Sequence, residues 1–132
     1  MQDKPLMVAA GLSLVLTAVH VFGGGADVHS PILDSDLDPV LKGYVSVVWH
    51  AVTANLVICT ALLFLAARTV AGRGAFVAIV AAHYTAYVGL FVTYGALRFG
   101  SVLVMPPGGL FAVILVVLAW AARPGPVRPV RA

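Results

Sequence analysis

The sequence predicts an all-α integral membrane protein with four transmembrane helices in an antiparallel bundle. Hydrophobic residues make up 61% of the chain and charged residues only 10%, whereas soluble domains have about 45–50% apolar and about 25% charged residues. The mean hydropathy is +1.04, and long uncharged runs alternate with short polar or proline- and glycine-rich stretches. We therefore expect a single transmembrane domain over residues 1–132.

The first span is expected over residues 5–23, an uncharged run that is long enough to cross a membrane at about 1.5 Å per residue. Gly23, Gly24 and Gly25 favour the end of this helix, because glycine relaxes the backbone. A cleaved signal peptide is the alternative, since Lys4 precedes the apolar run, but no A-x-A-type cleavage site follows it. We favour an uncleaved first helix.

A polar outer loop is expected over residues 24–42, and it holds every acidic residue except Asp3. A short interfacial helix is expected within this loop, near residues 32–37. Asp38 followed by Pro39 is the pattern of a capping residue with proline at the first helical position. It predicts the start of the second helix, whose span covers residues 43–67.

The third and fourth spans follow two further breaks in the apolar pattern. A short basic turn precedes the third span, expected over residues 75–98. Residues 105–109 are rich in proline and glycine and interrupt the helical pattern before the fourth span, expected over residues 106–122. The proline- and arginine-rich tail at residues 123–132 is predicted to be disordered.

The distribution of basic residues predicts the orientation in the membrane. With four spans, both termini lie on one side, and six of the eight cations fall on that side. Cytoplasmic loops carry an excess of lysine and arginine, so both termini are expected in the cytoplasm and the acidic loop outside. The six are Lys4, Arg68, Arg73, Arg123, Arg128 and Arg131, and the two on the other side are Lys42 and Arg98.

Imidazole and carboxylate side chains gather near the expected outer loop and indicate a metal site. His20 and His50 lie on the polar faces of the first two spans, about 5 Å and about 10 Å deep by the helical rise. His29 and Asp27 lie in the loop directly above. These side chains suit zinc, copper, iron or nickel, and two histidines on facing helices also suit a haem. We therefore predict His20, His50, His29 and Asp27 as ligands of a transition metal or haem.

Polar side chains recur at helical spacing on the first three spans. We expect them to line a shared polar interior, with the fourth span packed peripherally. The predicted lining residues, beside those of the metal site, are Thr17, Thr53, His83, Tyr87 and Tyr94.

Two alternative interpretations of these residues stay open. Ionisable side chains within a membrane mark ion pathways, which favours a small transporter or proton-conducting element. The same side chains can instead hold helices together by hydrogen bonds in an accessory subunit without chemistry. No HxxxH, HExxH or GxSxG motif selects among the three interpretations, and the single cysteine, Cys59, excludes an intrachain disulfide.

The expected partners are the lipid bilayer and either further copies of the chain or a larger membrane complex. The net charge of +3 is explained by the topology, and nothing in the sequence supports nucleic-acid binding. Two sequence runs, HVFGGG from His20 and WHAVTANL from Trp49, resemble a group of uncharacterised small bacterial four-span membrane proteins. The resemblance covers about the first half of the chain, and it implies a bacterial inner-membrane setting.

Topology is the first testable prediction. Reporter fusions at Ala132 and within residues 34–38 should report opposite sides of the membrane, with the Ala132 fusion cytoplasmic, because the cations are concentrated on that side. A paired alkaline phosphatase and fluorescent-protein assay measures this. Finding the acidic loop in the cytoplasm would contradict the predicted orientation.

Overall fold

The structure, a computed structural model, describes residues 3–122, and all regular elements in this range are helical. A π-helical segment at Val19–His29 and a 3₁₀ turn at Val102–Val104 join the α-helices. The α-helices are α1 (Lys4–Ala18), α2 (Ser30–Asp34), α3 (Pro39–Arg68), α4 (Arg73–Phe99) and α5 (Pro107–Ala121).

Three helical stretches are long and apolar enough to cross a membrane. They cover Lys4–Asp34, Pro39–Arg68 and Arg73–Phe99. The fourth apolar helix, α5, has 15 residues, which at about 1.5 Å per residue is shorter than a bilayer core of about 30 Å. The predicted disordered tail lies outside the described residues.

The first helix continues through the triple glycine, and the predicted helix end at Gly23 is therefore wrong. The chain switches from α-helix to π-helix at Val19 and keeps that conformation as far as His29, where α2 begins without a break. The Ser30 N–H donates to the Gly25 carbonyl five residues back, which is the hydrogen bond that defines a π-helix. Much of the predicted polar loop is consequently helical, and only residues 35–38 separate α2 from α3.

An aspartate side chain caps the first turn of α1 and of α3. The Asp38 carboxylate accepts hydrogen bonds from the backbone N–H groups of Val40 and Leu41, which confirms the predicted cap. At the start of α1, the Asp3 carboxylate accepts from the Leu6 N–H and pairs with Arg73 at 3.2 Å. Asp3 therefore ties the start of α1 to the start of α4.

Small side chains let α1 and α3 pack closely at the end of the molecule that contains Asp3. Ala9 and Ala10 of α1 and Ala66 and Ala67 of α3 are all fully buried. The Asp3 N–H donates to the Ala67 carbonyl at 3.0 Å, so the two helices touch through their backbones there. Such close approach is typical of membrane helices, which associate through small residues rather than through hydrophobic burial.

The fourth apolar helix, α5, belongs to the core, and the prediction that it packs peripherally is wrong. It contacts both α1 and α4 and contributes Phe111, Ile114 and Leu118 to the buried set. The Phe111 ring stacks on Tyr87 at 4.9 Å and meets Tyr84 edge-on at 5.2 Å between ring centroids. Aromatic packing of this kind adds to the burial of the rings themselves.

The α4–α5 contact gives a matched test at two consecutive glycines. A Cβ at Gly108 would lie 2.9 Å from the Phe91 Cβ, whereas a Cβ at Gly109 would have no neighbour within 4 Å. Gly108→Ala should lower the free energy of unfolding by about 1–3 kcal/mol because it overpacks the contact. Gly109→Ala should leave it unchanged or raise it, because alanine favours helix. Unfolding curves in mild detergent measure both, and equal effects would contradict the close α4–α5 packing.

Candidate functional site

Three histidines and a tryptophan gather at the end of the molecule opposite Asp3. The His20 ring stacks on the Trp49 indole with 4.2 Å between ring centroids, and the His29 ring stacks on the same indole at 5.1 Å. His50 meets His29 edge-on at 5.6 Å. We call these four residues the histidine–tryptophan cluster. It joins the π-helical segment to α3.

Hydroxyl groups of α3 hold the two stacked imidazoles. The Nε2 atom of His20 lies 3.1 Å from the Thr53 hydroxyl, and that of His29 lies 3.1 Å from the Ser46 hydroxyl. Thr53 donates its own proton to the Trp49 carbonyl at 3.0 Å. A threonine hydroxyl has one proton, so His20 must be the donor to Thr53 and carries its proton on Nε2.

The π-helical conformation is what places both imidazoles on one side of the first helix. His20 and His29 are nine residues apart, which in an α-helix of 3.6 residues per turn would put them on opposite faces. A π-helix bonds each residue to the fifth along and so has between about four and about five residues per turn. Nine residues then make about two turns, and both rings reach Trp49. Gly24 lies between them, where a Cβ would be 2.9 Å from the tip of the indole.

The predicted ligands His50 and Asp27 are exposed, and His20 contacts Thr53 and Trp49 rather than His50. Over residues 3–122, no three histidine, cysteine, aspartate or glutamate side chains are grouped so that they could hold a metal ion. The structure therefore brings His29 and His50 together but does not assemble the predicted four-ligand set. The Trp49 ring, which is not among the predicted site residues, is the common contact of both stacked histidines.

A buried hydroxyl cluster lies deeper between α1, α3 and α4. The Ser13 hydroxyl is hydrogen-bonded to the Thr60 hydroxyl at 2.7 Å and to the Tyr84 hydroxyl. Thr17 donates to the Ser13 carbonyl at 2.9 Å and also lies 3.4 Å from the Thr60 hydroxyl. Every fully buried side-chain nitrogen or oxygen of the described chain has a hydrogen-bond partner. The hydroxyl cluster (Ser13, Thr17, Thr60, Tyr84) thus connects three helices.

The other predicted interior residues divide into two groups. Tyr87 lies between helices and donates to the Asn55 side-chain oxygen at 3.3 Å. His83 and Tyr94 are exposed, away from the interior in which the sequence pattern placed them. The buried face of α4 instead carries Val80, Tyr84 and Gly95. Tyr84 lies four residues after Val80, so helical spacing puts the two side chains on one face. The sequence pattern instead placed the neighbouring His83 in the interior.

The line of polar contacts ends at Ser13. On the Asp3 side of this residue, the α1–α3 contact consists of apolar side chains that are almost completely buried: Leu6, Ala9, Ala10, Leu63, Ala66 and Ala67. The described residues therefore form no continuous polar route along this contact from the histidine–tryptophan cluster to the opposite end.

Comparison with protein-family models, with curated proteins and with solved structures gives no match.

Gly24→Ala should displace the Trp49 indole, because the added Cβ would lie 2.9 Å from the tip of the ring. Gly25→Ala is the matched control, since its Cβ would meet nothing within 4 Å. The chain has two tryptophans, so a Trp120→Phe background leaves Trp49 as the only indole reporter. Its emission spectrum should change in the Gly24 variant and stay constant in the control. Identical spectra would contradict the close contact between Gly24 and Trp49.

Proposed function

We propose that the chain is a multi-pass protein of the bacterial inner membrane, with its helices antiparallel and both termini in the cytoplasm. Cross-helix contacts support the antiparallel arrangement, because they run in opposite order along the first helix and α3. These contacts are hydrogen bonds between the first helix and α3, and the residue number on α3 falls as the number on the first helix rises. They join Asp3 to Ala67, Ser13 to Thr60, His20 to Thr53 and His29 to Ser46.

The placement of charge supports the orientation. The Asp3–Arg73 ion pair and the hydrogen bond from Arg73 Nε to the Ala66 carbonyl, at 2.9 Å, gather basic groups at one end of the molecule. Lys4 is the first residue of α1 and Arg68 is the last residue of α3, so both lie at this same end of the molecule. An excess of cations marks the cytoplasmic side of a bacterial membrane protein. The histidine–tryptophan cluster then lies at the outer surface, and the sequence resemblance to small bacterial four-span proteins supports the inner membrane.

Within this topology, we propose that the chain is a non-catalytic membrane subunit whose outer cluster is a structural joint. The observation that carries this proposal is that each stacked imidazole uses Nε2 on a hydroxyl of α3. Both bonds fasten the π-helical segment to α3, and Trp49 fills the space between the histidines. Polar contacts between membrane helices commonly have this role.

A transport path is less well supported by the same geometry. A proton route needs hydrogen-bonding groups along its length, but the polar line stops at Ser13 and the remaining contact of α1 with α3 is closely packed and apolar. His50 and His83, two ionisable side chains that such a route could use, are exposed. The structural joint explains the polar contacts of His20, His29 and Thr53 without a transport route through the chain.

A second candidate function is metal or haem binding at the outer surface, and one observation favours it. His29 and His50 meet at 5.6 Å between ring centroids, and His50 makes no side-chain hydrogen bond within the described chain. Imidazole is a ligand for zinc, copper, iron and nickel. A site of this kind would need further ligands from solvent or from a partner, because no third histidine, cysteine, aspartate or glutamate side chain is grouped with this pair among residues 3–122.

A double-mutant cycle tests the joint. His20→Phe keeps a flat ring against Trp49 but removes the hydrogen bond, and Thr53→Val removes its partner. Each change should destabilise the protein, and the two should be coupled by about 0.6 kcal/mol, with about 1.7 kcal/mol as the upper range for membrane helices. Unfolding in detergent measures the coupling, and His50→Phe, at an exposed position, should leave stability unchanged.

Elemental analysis and the absorption spectrum of the purified protein separate the two candidates. If the cluster is a structural joint, the effect of His50→Phe on stability should not be coupled to those of His20→Phe and Thr53→Val. The purified protein should then hold no stoichiometric metal or haem. Stoichiometric metal or haem that is lost in His29→Ala and His50→Ala would overturn the structural interpretation in favour of the second candidate.

A further inference from the structure

The contact between α3 and α4 is closed at one end of the molecule and open at the other. Near the middle of both helices, the Tyr87 hydroxyl donates to the Asn55 side-chain oxygen at 3.3 Å. On the side of this bond that holds Asp3, the contact faces are buried, with Cys59 of α3 and Val80 of α4 almost completely covered. The two helices are therefore packed together from that end to about their middle.

Beyond the Asn55–Tyr87 bond, the same two faces are exposed. Each face continues with the residues seven and eleven positions from the bonded one, which at 3.6 residues per turn lie within about 20° of it. All four of these side chains are exposed, although the faces to which they belong are buried lower down. We call the open part the α3–α4 cleft; it is bordered by Tyr44 and Val48 of α3 and by Tyr94 and Arg98 of α4.

The α4 side of the cleft holds a cavity of about 310 Å³. This volume lies within the range of ligand pockets, which is about 300–1,000 Å³. The residues that line the cavity are Thr93, Tyr94, Leu97 and Arg98. Leu97 and, across the cleft, Val48 provide apolar surface, whereas Arg98 lies one residue before the end of α4 at Phe99. The cleft therefore has apolar walls and a cationic rim.

The charge of Arg98 has no counterpart in the described chain. Neither α3 nor α4 contains an aspartate or a glutamate, and the ion pair among residues 3–122 joins Asp3 to Arg73 at the opposite end. The planar guanidinium group matches the oxygens of a phosphate in two parallel hydrogen bonds. An arginine that only reaches the membrane surface needs no cavity beside it. The rim therefore fits an anionic group, and a phosphate above all.

The depth of the cleft matches one leaflet of a bilayer. Arg98 lies eleven residues after Tyr87, which is about 16 Å along the helix axis. The hydrocarbon core of a bilayer is about 30 Å thick, so the cleft extends over about half of it. Asn55, at the closed end, lies near the middle of α3. The cationic rim then lies at the level of the lipid head groups, and the apolar walls lie beside the acyl chains.

We propose that the α3–α4 cleft binds one anionic phospholipid, with its phosphate on the Arg98 guanidinium and an acyl chain along Val48 and Leu97. The hydroxyl groups of Tyr44 and Tyr94 border the same cleft and can donate to oxygens of the head group. Basic pockets between membrane helices bind anionic head groups in this way.

Charge complementarity selects the phospholipid as the occupant. An apolar helix of another protein would cover the walls but leave the Arg98 charge without a partner, whereas an anionic lipid matches both the walls and the rim. The inference rests on the proposed function only in placing α3 and α4 across the bilayer, and it is independent of the histidine–tryptophan cluster.

Native mass spectrometry of the chain, released from nanodiscs that contain equal amounts of phosphatidylglycerol and phosphatidylcholine, tests the proposal. One phosphatidylglycerol should stay bound per chain in preference to phosphatidylcholine, because only the former has a net negative charge. Arg98→Gln should retain about tenfold less phosphatidylglycerol, since hydrogen bonds to charged groups are among the stronger ones. Arg98→Lys keeps the charge but loses the paired geometry, and it should retain an intermediate amount.

Two matched variants control for the loss of a charge and for the added bulk. Lys42→Gln removes a cation at the same end of α3, but Lys42 lies about 140° around the helix from Asn55, so phosphatidylglycerol binding should not change. Val48→Trp should reduce the binding of both lipids, because the indole fills the apolar part of the cleft. Val57→Trp, at an exposed position on the opposite face of α3, should not.

Equal retention of the two lipids by the unmodified chain, or equal losses in Arg98→Gln and Lys42→Gln, would overturn the phosphate site. Unchanged lipid binding in Val48→Trp would overturn the position of the acyl chain. A protein dimer that excludes the lipid and is lost in Val48→Trp would place a second chain in the cleft instead.

Reporter fusions on the same variants keep this test separate from the proposed topology. The expected topology without bound phosphatidylglycerol refutes only the lipid site. A reversed topology with phosphatidylglycerol still bound through Arg98 refutes only the proposed orientation.

Discussion

The hydrogen bonds that Ser13 makes with Thr60 and Tyr84 are the interaction on which the arrangement of the helices depends. Three hydroxyls from three helices meet in a part of the molecule where neither water nor a lipid tail can serve as a partner. An unsatisfied polar group there would cost several kcal/mol, so the three hydroxyls fix the helices relative to one another. Apolar contacts alone would leave much more freedom, because a lipid tail is as apolar as the side chains it would replace.

The position of Tyr84 in this cluster determines which face of α4 turns outward. With Tyr84 bonded to Ser13 and packed edge-on against Phe111, the neighbouring His83 must point away from the bundle. His83 satisfies one nitrogen on its own backbone. The burial of Tyr84 and the exposure of His83 therefore have the same cause, which is the rotation of α4 about its own axis.

The π-helical segment places His20 and His29 on the same side of the first helix. Continuing the first helix as an α-helix would have placed His20 and His29 on opposite faces. The wider turn lets both rings contact Trp49, and Gly24 leaves room for the indole beneath the backbone. Helical backbone is also favoured over an irregular loop in an apolar environment, because it satisfies its own N–H and carbonyl groups.

The sequence by itself determined the all-helical class with apolar helices long enough to cross a membrane, the approximate limits of the second to fourth apolar helices and the Asp38 cap. Uncharged length and local capping are properties of consecutive residues. It also indicated that Thr17, Thr53 and Tyr87 belong to helix contacts. Only the tertiary structure decided that the triple glycine continues the helix, that α5 enters the core and that Tyr84 rather than His83 faces inward. Each of these depends on contacts between residues distant in sequence, such as Trp49 over Gly24 and Phe111 against Tyr84. Helical spacing shows which residues share a face, but the side of the helix that is buried is set by the partner that packs against it.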